Sequence, residues 1–252
     1  MAAASQEIVV VVGATGAMGQ VIVQRLAARG LEVVAVARSA EAVASLVSAN
    51  RGVVACVADI ASDSSIDAIR AAADGPVRAV VHGPGVAVVG GVLEAPTAAV
   101  VDAVNIKVGG MLRLVRAVDA RLVAGSRLIA IGGHYGSEPS PYAATAGVGN
   151  AALANLVKQM SWAYGPRGIT AHLIAPGPAD TDRLHRLAAA RATRDGISLD
   201  EVLGQMKKES AIGEFTSVGQ IAWAVETLLA PEANALAGST LFMDAGRRKA
   251  IP

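Results

Sequence analysis

Apolar residues along this chain recur with two different periods. Short runs rich in β-branched residues stand at 8–12, 32–37, 53–57, 77–81, 127–131, 169–174 and 240–243, and such near-continuous runs predict strands buried on both faces. Between them, 20–29, 40–49, 65–73, 98–124, 142–164 and 218–230 carry apolar residues at helical spacing, which predicts packed helices. The alternation of strand and helix predicts βαβ units, so the expected class is α/β, a doubly wound parallel seven-stranded sheet in a three-layer αβα arrangement. Right-handed crossovers bring the carboxyl ends of all the strands to one edge, and a ligand crevice is expected where the strand order reverses.

One segment breaks this rhythm. Residues 181–212 are richer in charge than their surroundings, follow the turn-forming Pro176-Gly177-Pro178, and have their helical pattern interrupted at Asp195-Gly196. They read as a helical lid over the crevice, because a lid needs few buried contacts and separable helices. With 252 residues the chain fits one domain, 1–252, of the size that layered α/β sheets commonly reach undivided. The aromatic share is 3% and the apolar share 53%, so the core is expected to be built from small aliphatic side chains packed closely.

Charge and cysteine usage exclude several classes. A formal net charge of +1 gives no one-signed field, so neither nucleic acid nor an acidic lipid surface is an expected partner. Cys56 is the single cysteine, which rules out an internal disulfide or a cysteine-based metal centre; no metal is expected, and a reducing, cytoplasmic setting is. No apolar stretch is long and unbroken enough to predict a membrane span, and 1–5 lacks the pattern of a secretory signal.

The run Gly13-Ala14-Thr15-Gly16-Ala17-Met18-Gly19 lies directly between the first predicted strand and the first predicted helix. Glycines let the backbone approach a diphosphate there, and the helix start offers unpaired N–H donors and partial positive charge. Strand, turn and helix in this order make a Rossmann-type dinucleotide site. At the end of the second strand the chain reads Val36-Ala37-Arg38-Ser39, with no carboxylate to accept bonds from a ribose. A guanidinium at Arg38 suits a 2′-phosphate, so NADP(H) is expected over NAD(H). Asp59, followed by Ile60, is placed either to meet the adenine amino group or to cap the next helix.

From about Ile8 to Gly246 these features resemble the short-chain dehydrogenase/reductase family. Besides the glycine turn and Asp59, Asn105 looks like its helix asparagine and Tyr142 like its catalytic tyrosine. Pro176-Gly177 with Thr181 looks like the turn that holds the nicotinamide carboxamide, and Asp244-Ala245-Gly246 like its C-terminal signature. The family works with Asn, Ser, Tyr and Lys: the tyrosine transfers a proton, the lysine lowers its pKa, the serine positions the carbonyl and the asparagine supports a water relay. Matched in this way, Gly133 stands where the serine is expected and Ala146, four residues after Tyr142, where the lysine is expected. The usual Asn-Asn-Ala-Gly after the fourth strand is replaced by His82-Gly83-Pro84-Gly85, of which Gly83 and Pro84 are candidate cofactor contacts.

The resemblance implies an NADP(H)-dependent oxidoreductase that reduces a small carbonyl or imine-like substrate, with Tyr142 and Asn105 at the reacting end. His134, next to the diglycine, is a candidate helper, since imidazole titrates near neutrality; the alternative is a loop residue packed under the lid. Two other readings stay open: a cofactor-binding sensor or partner subunit without turnover, and a non-redox lyase or cyclase on the same scaffold. The small residues of 142–164 resemble the helix through which the family forms dimers and tetramers, so a homodimer or homotetramer is expected.

Overall fold

A computed structural model describes residues 7–249. Its strands are β1 (Ile8–Val12), β2 (Glu32–Ala37), β3 (Val53–Val57), β4 (Val77–His82), β5 (Leu122–Ile131), β6 (Thr170–Pro176) and β7 (Thr240–Met243). They form one sheet in the order β3-β2-β1-β4-β5-β6-β7, every neighbouring pair parallel. The chain thus starts in the middle, winds outward to β3, returns to β4 beside β1 and winds outward the other way. The reversal falls between β1 and β4, where a crevice was expected.

Alternate residues of each central strand feed opposite layers. Val10, Val12, Val34 and Val80 join Ile69, Leu114 and Leu153 in one core. Val9, Val11, Ala35 and Val81 join Ile22, Leu26, Ile221 and Val225 in the other. The first layer is covered by α3 (Ser65–Ala72), α5 (Gly110–Val118) and α6 (Ala144–Tyr164); the second by α1 (Ala17–Ala28), α2 (Ala40–Ala49) and α9 (Val218–Thr227), while α4 (Thr97–Val104) packs on α6. Burying each large aliphatic side chain contributes about 1.5–3 kcal/mol, which explains how a core nearly free of aromatics suffices.

Two predicted helices are corrected. The stretch 98–124 is not one helix: α4 and α5 are joined by a π-helical turn, Asn105–Gly109, and a 3-10 turn at Asp119–Arg121 leads into β5, which begins at Leu122. The apolar run Leu122-Val123-Ala124 suits either structure by pattern, and Gly125 at φ 90 turns it toward the strand. Likewise α6 begins at Ala144, not at Tyr142, because Pro141 and Tyr142 form a turn: the Pro141 carbonyl accepts from Val92 N at 3.1 Å and the Ser140 carbonyl from Ala143 N at 3.2 Å. The charged excursion does form two helices, α7 (Asp182–Asp195) and α8 (Leu199–Lys208), separated at Gly196 in the left-handed region. No helix among the described residues is long and apolar enough to cross a membrane.

Candidate active site

Two adjoining cavities open at the carboxyl edge of the sheet, and both are walled by Gly83 and Gly85. The first, of about 320 Å³, is lined by Gly13, Thr15, Gly16, Arg38, Asp59, Ile60, Gly83 and Pro84 among others. Gly13 takes φ +81, closed to most side chains, and a Cβ on it would stand 3.2 Å from Pro84 N. Gly19 lies behind the turn: a Cβ there would be 2.1 Å from the Gly13 carbonyl, so its role is to let α1 close onto β1. At the α1 start, Gly16 gives no side-chain cap and the first turn holds no acid, so its N–H donors are left for an anion. Arg38 is exposed at the cavity rim and makes no ion pair among the described residues. Ser39 does not line the cavity; its hydroxyl caps α2, accepting from Ala42 N at 3.2 Å. Asp59 accepts from Ala61 N at 3.0 Å, a local turn bond, while Ser64 takes the N-cap position of α3.

The second cavity, of about 270 Å³, lies between the end of β5, α6 and the first turn of α7. Met18, Gly83, Gly133, His134, Pro176, Gly177 and Thr181 line it, as do Lys107, Ala146, Asn150, Arg183 and Arg247. Ala17, at the exposed start of α1, lines neither cavity. Thr181 also caps α7, accepting from Leu184 N at 3.4 Å.

Lys107 is the most unusual group here. It sits in the π-turn, only 3% exposed, and its ammonium donates to the Ile131 carbonyl at 2.8 Å. Burial, together with the nearby Arg183, lowers its pKa to about 8. Its stem runs beside Gly149 of α6, where a Cβ would lie at ordinary contact distance, 3.5 Å from Lys107 Cγ. Within the π-turn the Ile106 carbonyl accepts from His82 Nε2 at 3.0 Å; insertions of this kind recur at functional sites.

His134 and Asn150 each present a buried polar atom without a hydrogen-bond partner, Nε2 and Oδ1 respectively. The other His134 nitrogen faces the Pro176 carbonyl; burial and then Arg247 lower the imidazole pKa, which Pro176, Asp244 and Glu138 partly offset. A proline carbonyl only accepts, so Nδ1 carries the hydrogen and Nε2 is a free acceptor. Tyr135 packs on the ring at 4.0 Å between centroids.

Comparison with known proteins now adds to the geometry. Residues 13–248 match the family described as enoyl-(acyl carrier protein) reductase. This chain belongs to the short-chain dehydrogenase/reductase family. It is 29% identical over 247 residues to the 3-oxoacyl-[acyl-carrier-protein] reductase FabG of Escherichia coli, 95% of this chain and 96% of the relative. A short-chain dehydrogenase/reductase of Serratia marcescens superposes with a TM-score of 0.83 at 28% identity, covering 96% and 97% of the two chains. A short chain oxidoreductase of Pseudomonas aeruginosa, whose solved structure holds NADPH and contains an atypical catalytic center, shares the fold with a TM-score of 0.87 at 21% identity, covering 97% and 98%.

Within this short-chain dehydrogenase/reductase, Tyr142 is not brought to the cavities. It is 79% exposed, precedes α6, and lines neither cavity; the two α6 residues that line the cleft, one helical turn apart, are Ala146 and Asn150. Asn105 likewise lines neither cavity. Its amide donates to the Ala61 carbonyl at 3.1 Å, tying the π-turn to the loop after β3, and the cleft receives Lys107 from two residues further on. Ser140 accepts from Tyr142 N at 3.3 Å and serves the turn. His172 is packed in β6, bonded to Thr170 and Leu236, and His185 pairs with Asp180 outside the cleft. Sequence reasoning missed Lys107, Asn150, Arg183 and Arg247. A lysine flanked by apolar and glycine residues at 106–112 was the one available signal, since a charge there must be either buried or paired.

Proposed function

We propose that this chain is an NADP(H)-dependent reductase of a small carbonyl or imine-like substrate with a non-standard active site, in which Lys107 gives the proton. The carrying observation is the buried ammonium of Lys107, 2.8 Å from the Ile131 carbonyl, in a cleft continuous with the glycine cradle. The residues present fit the dinucleotide: Gly13, Thr15 and Gly16 with the uncapped α1 start would hold its diphosphate, Asp59 and Ile60 its adenine side, and Met18, Pro176, Gly177 and Thr181 its nicotinamide end. Arg38 would hold a 2′-phosphate, which supports NADP(H) over NAD(H). When bound, the cofactor supplies hydride.

The chain's own task is the proton. With Gly133 and Ala146 lining the cleft, neither a serine hydroxyl nor the family's lysine ammonium meets the substrate from those positions, and the Tyr142 phenol lies outside both cavities. Lys107, with a pKa of about 8, is mostly protonated at neutral pH, yet gives up its proton far more readily than an ordinary lysine; matching of this kind is what general acid catalysis needs. Nζ donates to the substrate oxygen or nitrogen as charge develops there, and the neutral amine regains a proton from solvent. His134 Nε2 and Asn150 Oδ1 accept hydrogen bonds from hydroxyl or amide groups brought into the cleft. The relative named as a 3-oxoacyl reductase supports carbonyl reduction.

The helices α7 and α8 act as a lid on a single domain. Arg183 ties α7 to the Val86 carbonyl at 2.6 Å, and this link closes the cleft wall. The exposed Trp162, at 81%, with Val148 on α6 and Val101 on α4, supports assembly as a homodimer or homotetramer through these helices.

The test is transfer of deuterium from 4-deuterated NADPH into a panel of ketones and imines. Transfer by the wild type, lost in Lys107→Met while NADPH still binds, is the expected result. Binding of NADPH with transfer to no compound overturns the reading in favour of a cofactor-binding protein without turnover, which Ala146 in place of the family's lysine would favour. Product formed without cofactor consumption points to a lyase or cyclase.

A further inference from the structure

The charged side chains that line the cleft are all cationic: Lys107, Arg183 and Arg247 line it and, among the described residues, no aspartate or glutamate does. Asp244 and Glu138 lie behind the lining, close enough to His134 to favour its protonation. The three cations act on the cleft's interior: Arg183 lies close enough to Lys107 to disfavour its ammonium, and Arg247 close enough to His134 to disfavour its protonation. Among the described residues, Arg183 is held by a neutral carbonyl, that of Val86, and Lys107 by that of Ile131. Arg247 pairs with Glu209, whose carboxylate is 43% exposed and stands outside the lining. Like charges gathered over a half-enclosed, low-dielectric cavity repel one another and focus a positive potential into it. An anion entering the cleft relieves that repulsion.

We propose that the substrate is a small carboxylate, a 2-oxo acid or its imine, whose carboxylate is bound by the guanidinium groups of Arg183 and Arg247 and whose oxo or imino group faces Lys107. The inference rests on the reductase reading and names its substrate class. Guanidinium groups suit a carboxylate because their paired N–H groups match its two oxygens. The apolar wall of Val86, Val88, Leu184, Leu187 and Met206 would take a short aliphatic tail. The cavity of about 270 Å³ also has to admit the reactive end of the dinucleotide, so only a few carbons fit.

The other anion with access to this edge is the cofactor diphosphate, and the experiment separates the two. Calorimetric titrations of 2-oxobutanoate and of neutral 2-butanone are made into the protein with and without saturating NADP⁺. The expected result is binding of 2-oxobutanoate to the NADP⁺-loaded protein at least tenfold tighter than of 2-butanone. Arg183→Gln and Arg247→Gln should each weaken it at least tenfold while changing NADP⁺ affinity less than threefold, and Arg183→Lys, which keeps the charge but not the paired N–H groups, should lose less than Arg183→Gln. Equal affinity for acid and ketone overturns the proposal, as does loss of NADP⁺ binding in the two glutamine variants, which would assign these cations to the diphosphate. If 2-oxobutanoate binds in this arginine-dependent way but deuterium is never transferred, the anion site stands and the reductase reading falls.

Discussion

Asn150 fills the space that a side chain on Gly133 would need: a Cβ at 133 would stand 2.9 Å from Asn150 Nδ2. The two residues are therefore coupled, and a serine at 133 requires the Asn150 amide to shift. Gly133→Ser is expected to lower stability by about 1–2 kcal/mol, the usual result of overpacking a close-fitted site. Gly133→Ser combined with Asn150→Ala should recover most of that loss, as thermal unfolding of the single and double variants will read.

Tyr142 gives the second prediction. Its phenol is 79% exposed and lies on the α7 side, within electrostatic reach of Arg194, outside both cavities. Tyr142→Phe should leave NADPH affinity and turnover within about twofold of wild type, since exposed substitutions away from a site usually change little. A loss of a hundredfold in kcat with unchanged folding would return the phenol to the reaction.

What could be read from the sequence follows from how each signal is encoded. The sheet was legible because a strand buried on both faces leaves an unbroken β-branched run, as at Ile8–Val12, and the glycine turn because Gly13 and Gly19 answer steric needs only glycine meets. The reacting end was legible only in outline. Facing on a helix depends on phase, and each residue of displacement turns a side chain by about 100°. The Pro141-Tyr142 turn delays the start of α6, so the aromatic residue that marks the motif lies before the helix. The π-turn at Asn105–Gly109 adds a residue to its turn and brings in Lys107 instead of Asn105. Ala146 and Asn150 are ordinary helix residues by type, so nothing in their identity announces a cleft. Arg183 and Arg247 come together from segments far apart in the chain, a placement that only the tertiary fold supplies.

On the proposed reading, Arg38 separates the two dinucleotides. It lines the adenosine-side cavity without an ion pair among the described residues, so its charge is available to a 2′-phosphate. Arg38→Ala should weaken NADP⁺ binding tenfold or more, a charge-assisted hydrogen bond being worth about 1.5–3 kcal/mol. NAD⁺ binding should change less than twofold. Equal losses for both, measured by fluorescence titration, would remove the argument for NADP(H).

Acid should unfold the protein through its buried histidines. Burial lowers the His82 pKa to about 3 and that of His172 to about 4; the Ile106 and Leu236 carbonyls oppose this, whereas Lys107 and Arg127 respectively reinforce it. Both folded values lie below the unfolded value of 6.5, so the unfolded chain binds more protons between them. The stability is fully present above about pH 6.5 and is lost as pH falls toward 4 and then 3. His172→Gln should reduce the slope of unfolding free energy against pH in this window by about one proton, as read from urea titrations at several pH values. An unchanged slope would mean that His172 is already protonated in the fold.

Lys107 sets stability against function. Its folded pKa of about 8 lies below the ordinary 10.5, so the unfolded state holds the proton more tightly between those values and stability rises with pH across that window. Below it, the buried ammonium costs the fold about 3 kcal/mol, reckoned from the size of the shift. Lys107→Met removes that cost but leaves the Ile131 carbonyl without its donor, which returns about 1 kcal/mol. The variant should therefore be more stable than wild type at pH 7 by about 2 kcal/mol and should lose the rise between pH 8 and 10.5. In the wild type the rate of reduction should fall as pH rises through about 8, because the donor is the protonated amine. A stabilised Lys107→Met protein that still binds NADPH but has lost turnover is the combination expected of a charge kept for chemistry. A destabilised variant with an unaltered pH profile of the residual rate would make Lys107 a structural tie between the π-turn and β5.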